Sequence, residues 1–324
     1  MEIKEHVEYS KVRLSVLRSQ ISKIDELSKN NLCIYTTGSY GRHEASVNSD
    51  IDLFFLDAKE EKPTSNIDKT LINAEVIRLC RAMKLPEFSK DGGYLTIHNI
   101  GDILSNLGSP VDDYKNYFTA RMLLLLESKP IYNEELHAFC IQKIIERYFI
   151  DFPDHSKNFK AIFLANDIIR FWKTLCLNYE HGRHRKIIEG NPDSINDKIV
   201  AHSKNLKLKF SRKLTCFSFI IQLADFKGTI TQEDLLKMCM LTPVERLLSI
   251  KEGNPNISDK VQNALNSYQW FIDRTQIPSK ELLSWISDSK ERDSAFDKSR
   301  QFGDELFSIL QLVDKQNLIS KLLI

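Results

Sequence analysis

No stretch of this sequence is apolar for long enough to cross a bilayer. The runs 122–126 and 217–223 stop far short of the roughly 20 residues a spanning helix needs, so no membrane partner is expected. The N-terminal segment MEIKEHVEYSKVRLSVLRSQ alternates charges and has no apolar core of the kind a secretory signal requires, so it does not read as a signal peptide. Cysteine is sparse and scattered, at positions 33, 80, 140, 176, 216 and 239, with no CxxC pair and no histidine at zinc-ligand spacing. Reduced thiols, no zinc site and a cytoplasmic protein are expected. Neither sign of charge dominates: 45 Lys and Arg against 44 Asp and Glu leave a net charge of +1. No global field therefore gathers nucleic acid, and any polyanion site must be a local patch. Glycine (11) and proline (9) are also few beside 42% hydrophobic residues, which excludes a fibrous or disordered chain.

What remains is a globular chain of 324 residues, long enough for two domains. Apolar residues at near-helical spacing over 3–29 predict one amphipathic helix ending near Lys29-Asn30. The period then switches: 32–35 reads as a short buried strand ended by Gly38, 40–45 as a turn or short helix, and 50–56 as a second strand. Residues 58–68 form a polar loop, 73–83 a helix and 94–100 a third strand. From Tyr117 on the pattern is helical: 117–126, 134–149, 158–179, 206–225, 232–240, 243–250 and further helices beyond Asp259. The fold class expected is α+β, an α/β domain over 1–115 followed by a mainly helical domain over 116–324.

The chemistry concentrates in TTGSYGRHEASVNSDIDLFFLD, residues 36–57. Side chains alternate along a strand, so Asp50 and Asp52 would project from one face while Ile51 and Leu53 turn to the core. Two carboxylates side by side disfavour each other's ionised form unless a cation sits between them. Mg²⁺ takes hard oxygen ligands, commonly one or two carboxylates plus substrate phosphates. Gly38 lets the backbone turn sharply, and the amides after it, with the Ser39 hydroxyl, can donate to phosphate oxygens, more so if a helix starts there. Alone, a Gly-Ser pair is a turn and a DxD a solvated strand end; together, in strand context, they predict a metal and nucleotide site.

GSYGRHEASVNSDIDLFFLD resembles the signature of the DNA polymerase β superfamily of nucleotidyltransferases, in the GSxGRxE form of the protein-PII uridylyltransferases and related proteins. A weaker likeness runs through NDIIRFWKTLCLNYE (166–180) and NLKLKFSRKL (205–214). The resemblance implies a small α/β domain followed by helices, and transfer of a nucleoside monophosphate from an NTP with release of pyrophosphate. It implies that Gly38 and Ser39 bind the triphosphate and that Asp50 and Asp52 hold Mg²⁺, with Mn²⁺ as a substitute. Arg42 and Glu44 also fall on signature positions, as a phosphate contact for Arg42 or as a local ion pair stiffening the turn. The superfamily has a third carboxylate on a neighbouring strand, but YLTIHNI (94–100) contains no acid. Asp91, in KDGGY, is the first candidate for that catalytic role, with Glu87 and Asp102 behind it. His98 reads as a core or surface residue. Without a third acid the site is a variant, or binds nucleotide without turnover.

In the helical half, Arg170 and Lys173 lie three apart on one side of a helix. Lys209, Arg212 and Lys213 would share another helical face beside Lys204 and Lys207. These clusters suit a clamp for the triphosphate or for an acceptor's phosphates, and equally a solvated face over a packed apolar side. EHGRHRK (180–186) reads as a mobile loop. No HD pair of the kind that marks a phosphohydrolase extension occurs. The partners expected are an NTP and an acceptor, RNA such as tRNA in a toxin-like modification before a protein side chain, or neither in a nucleotide-binding antitoxin.

Overall fold

The computed structural model describes residues 3–59, 63–86, 88, 92, 95–156, 159–188, 195–315 and 317–323. The fold is α+β, with one small mixed sheet and helices elsewhere. It divides into two compact units, Met1–Lys157 with Thr231–Thr242, and Asn158–Ile230 with Pro243–Ile324.

The first unit opens with α1 (Ile3–Ile21) and the single turn α2 (Asp25–Ser28). The one long helix expected here is broken, because Lys23 and Ile24 donate back to Gln20 and Ile21 and tighten the chain out of α-helical register. The sheet has the order β3-β2-β1-β4, built from β1 (Leu32–Thr37), β2 (Asp52–Asp57), β3 (Ile97–Asn99) and β4 (Lys129–Tyr132). β1 runs antiparallel to β2 and β4, and β2 parallel to β3. Leu32 and Ile34 of β1, with Leu53 and Phe55 of β2, face a core that also holds Leu14, Leu17 and Ile21 of α1 and Ile72, Val76 and Cys80 of α4 (Asn66–Ala82). Ile51 and Leu53 thus turn inward as the alternation predicts. α4 begins earlier than apolar periodicity suggests because Ser65 caps it, its Oγ accepting from the Asp68 amide at 3.1 Å.

The opposite sheet face carries Tyr35, stacked on Phe54 at 5.6 Å, and meets α7 (Tyr117–Glu127) and α8 (Glu134–Tyr148). Tyr35 donates to the Ala120 carbonyl (3.4 Å) and its ring lies 5.7 Å from His137. α7 and α8 therefore belong to the sheet unit, and the division falls after residue 157 rather than near 115. Between them runs β4, KPIY, too short for periodicity to reveal, with Pro130 tolerated on an edge strand. α13 (Gln232–Met240), its start fixed by a Thr231–Asp234 capping box, also packs on α7 and α8 despite lying far along the chain. α7 is apolar on all sides, and Arg121 locks it in place. Its guanidinium makes a fully buried bidentate pair with Asp112 of α6 (Pro110–Tyr114), both bonds 2.8 Å, and its Nε donates to Tyr148 of α8.

The second unit is helical: α10 (Ile162–Ile188), α11 (Ile195–Lys207), a π-helical segment (Leu208–Arg212), α12 (Lys213–Asp225), α14 (Pro243–Gly253), α15 (Ser258–Thr275), α16 (Ser279–Ser287), α17 (Ser289–Val313) and α18 (Leu318–Leu323). Its core stacks Phe210 on Phe271 and on Phe302 at 4.7 and 4.9 Å. EHGRHRK is part of α10 and not a loop, since Gly182 alone does not stop a helix of otherwise good formers. No described helix is long and apolar enough to cross a membrane.

Two histidines of the first unit are held neutral. Burial, then Lys129, pushes His137 down to about 3, and burial, then Lys69, pushes His98 down to about 4 against Asp102. Ser128 Oγ donates to the Leu124 carbonyl (2.6 Å), so it accepts from His137 Nε2 (2.8 Å), which fixes the tautomer. Both folded-state values lie below the roughly 6.5 of an unfolded histidine, so between them the unfolded chain binds more protons. The stability is fully present above about pH 6.5 and is lost as pH falls through this window. Thermal melts from pH 7 to pH 4.5 should show a falling Tm, with a shallower slope for His137→Gln; parallel slopes would refute the assignment.

Candidate functional site

The last pair of the β1–β2 ladder is Thr37 opposite Asp52. Immediately beyond it Gly38 takes φ +66° and turns the chain into the short helix α3 (Gly38–Gly41). A Cβ on Gly38 would lie 3.3 Å from Asp52 Oδ2, so the turn is seated directly against that carboxylate. Because β1 leaves the sheet here, β2 begins at Asp52, and Asp50 lies in the coil before the strand rather than on it. The two aspartates are still one residue apart at one strand end, Asp50 exposed and Asp52 half-buried. Thr36 Oγ1 reaches across to the Asp52 carbonyl at 3.0 Å and pins that end.

The ten residues between Ser39 and Asp50 form a braced loop. Glu44 N donates to the Ser39 carbonyl (2.7 Å), Ala45 N to Ser10 Oγ (2.9 Å), and His6 Nδ1 to the Ala45 carbonyl (3.2 Å), so α1 carries the loop. A serine turn follows, with Ser46 N on Ser49 Oγ at 3.0 Å and Asn48 N on Ser46 Oγ at 3.2 Å. Of the GSYG segment only Ser39 is not buried.

Sequence reasoning missed Glu127, the last residue of α7, which is 1% exposed. One carboxylate oxygen accepts from Gly38 N (3.2 Å) and the other from Arg42 Nη1 (2.9 Å), while Arg42 Nε donates to Glu44 Oε2 at 2.7 Å. Arg42, 8% exposed, thus engages two carboxylates, and the local ion pair with Glu44 is present. Gly41 serves the same junction: a Cβ there would stand 2.0 Å from the Glu127 carbonyl. So the G-R-x-E part of the signature docks the turn onto the end of α7. The sequence did carry a signal for Glu127, since a lone acid closing MLLLLE sits at a helix C-terminus, where the dipole disfavours it unless a cation compensates.

For the third carboxylate, β2 and β3 pair in parallel with Phe55 opposite Ile97 and Asp57 opposite Asn99. Asp102, three residues past Asn99, therefore belongs to the end of β2 away from Asp52, where Tyr117 donates to it at 3.3 Å. The structure does not bring it together with Asp50 and Asp52. Asp57 is also at that end, fully buried and accepting from the amides of Lys59 (3.0 Å) and Thr64 (2.6 Å). Asp91 and Glu87 lie outside the described residues. Among the described residues no group of three His, Cys, Asp or Glu is placed to hold a metal.

Arg170, Lys173, Lys209, Arg212 and Lys213 belong to the second unit, the four turn and strand residues to the first. Arg170 pairs with Asp167 at 3.4 Å and Lys173 is exposed. The π-helical segment alters the spacing that put Lys209, Arg212 and Lys213 on one α-helical face. Lys213 is nonetheless close enough to Lys209 that burial, then that neighbour, lowers its pKa, against Asp304 and Cys176. Compared with protein-family models and with curated proteins, the chain finds no match.

Removing one partner of a buried ion pair leaves the other charge uncompensated, typically at 3–5 kcal/mol. Glu127→Ala should destabilise the first unit by about 3 kcal/mol in urea unfolding, and the loss should shrink in an Arg42→Ala background. An effect below about 1 kcal/mol would place Glu127 among solvated ion pairs.

Proposed function

We propose that this chain is a Mg²⁺-dependent nucleotidyltransferase that moves a nucleoside monophosphate from an NTP to an acceptor hydroxyl. The observation that carries the reading is the seating of the positive-φ Gly38 turn against Asp52 Oδ2 at the open end of the β1–β2 pair. A backbone turn without a Cβ, a half-buried serine hydroxyl and two carboxylates then share one strand end, which is the donor set that a magnesium-bound triphosphate takes. The fit is to a site completed by substrate oxygens, since two carboxylates alone do not fill six ligand positions.

In this reading Ser39 and the amide beside it hold the terminal phosphates, while the docked Arg42–Glu127 junction keeps the turn from moving as they bind. Asp50 and Asp52 would hold the cation. Bound Mg²⁺ would neutralise the carboxylates and clamp the oxygens of an in-line displacement. The acceptor oxygen forms a bond to the α-phosphorus, the bond from that phosphorus to the bridging oxygen breaks, pyrophosphate leaves, and a base takes the hydroxyl proton. RNA is favoured as acceptor by the basic residues of the second unit, ahead of a protein side chain. The alternative is a partner that holds nucleotide without turnover.

Incubation with each of four α-³²P-labelled NTPs, Mg²⁺ and either total tRNA or lysate protein should label one acceptor class. Asp50→Ala with Asp52→Ala should abolish the label while the variant keeps a cooperative thermal melt. Full labelling by the double variant would overturn the mechanism, and nucleotide binding without label would select the binding partner.

A further inference from the structure

The second unit contains a cavity of about 530 Å³ whose lining shares Lys209 with the phosphate clamp expected from the sequence. It is walled by α10, α11 and α17, with Lys209 of the π-helical segment projecting to it. That volume falls within the range of small-molecule sites generally. Its lining is basic: Arg183, Lys198, Lys209 and Arg300 face it together with the rings of His184 and His202, against Asp293 as the one lining acid among the described residues.

The cations are not equivalent. Arg183 pairs with Glu180 at 2.7 Å, and Arg300 pairs with Asp297. Among the described residues no carboxylate pairs with Lys198 or Lys209. Lys209 Nζ instead lies over the Phe296 ring, 5.0 Å from its centroid, and the His202 ring meets the same phenyl edge-on at 5.9 Å. Burial, then Arg300, lowers the Lys209 pKa, and burial, then Arg292 and Arg183, lowers that of His202. Cations gathered and partly desolvated in this way repel one another, a cost that an entering anion relieves. A π-helical segment within a helical run is itself an uncommon irregularity, associated with functional sites.

We propose that this cavity is a binding site for a phosphate-bearing anion of nucleotide size, with phosphates held by Lys198, Lys209 and Arg300 beside the Phe296 ring. Two or more phosphates match the number of converging cations better than a single carboxylate does. The site needs no divalent metal and does not rest on the transfer reading, because every residue in it belongs to the second unit.

Calorimetric titration of the full chain in EDTA with inorganic triphosphate, ATP and adenosine tests the proposal apart from metal-dependent transfer. Triphosphate and ATP should bind, more weakly as salt is raised, and adenosine should not. Lys209→Gln and Lys198→Gln, each checked for an unchanged melting temperature, should weaken binding by about tenfold, as expected for loss of a charge-assisted contact. Absence of binding by both phosphates, or parent-like binding by both lysine variants, would each overturn it.

Discussion

The fold of the candidate site depends on one buried junction, in which Glu127 receives the Gly38 amide with one oxygen and Arg42 with the other. It ties the end of the most buried helix of the first unit to the turn that leaves the sheet. Much of that unit serves to place Glu127: Arg121 and Asp112 fix α7, Tyr148 completes the lock, and Gly41 permits contact at backbone distance. A buried ion pair is weak evidence for net stability, since desolvation offsets much of the attraction. Its value here is positional, for it leaves the Gly38 turn no freedom to drift from Asp52.

The same junction shapes the local charge. Arg42 is shared between Glu44 and Glu127, so one guanidinium bridges two buried carboxylates. Asp52 stands on the other side of Gly38, and Asp50 just before it in exposed coil. In the proposed function a triphosphate would approach these carboxylates as a metal complex, which removes the repulsion between like charges.

Residues 32–57 were the most legible part of the sequence because their logic is local: alternation sets the faces of β1 and β2, and a glycine sets where β1 ends. What could not be read there depended on distance. Glu127 lies 85 residues from Arg42, and only the oddity of an acid after a leucine run pointed to it. β4 was hidden by its four-residue length, and with it the membership of α7 and α8 in the sheet unit. The start of β2 was misplaced by two residues because the turn at Gly38, not the strand's own composition, decides where pairing stops. In the second unit the π-helical segment had no sequence signature, so the spacing of Lys209, Arg212 and Lys213 was read on the wrong period.

The most direct test of the proposed metal and nucleotide site is electron paramagnetic resonance of Mn²⁺ titrated with the protein in the presence of an NTP. The free-ion signal should fall below that of protein-free Mn²⁺–NTP with the parent chain, and should stay at that level with Asp50→Ala and Asp52→Ala combined. Equal loss of signal with parent and double variant would mean that these aspartates do not hold the ion.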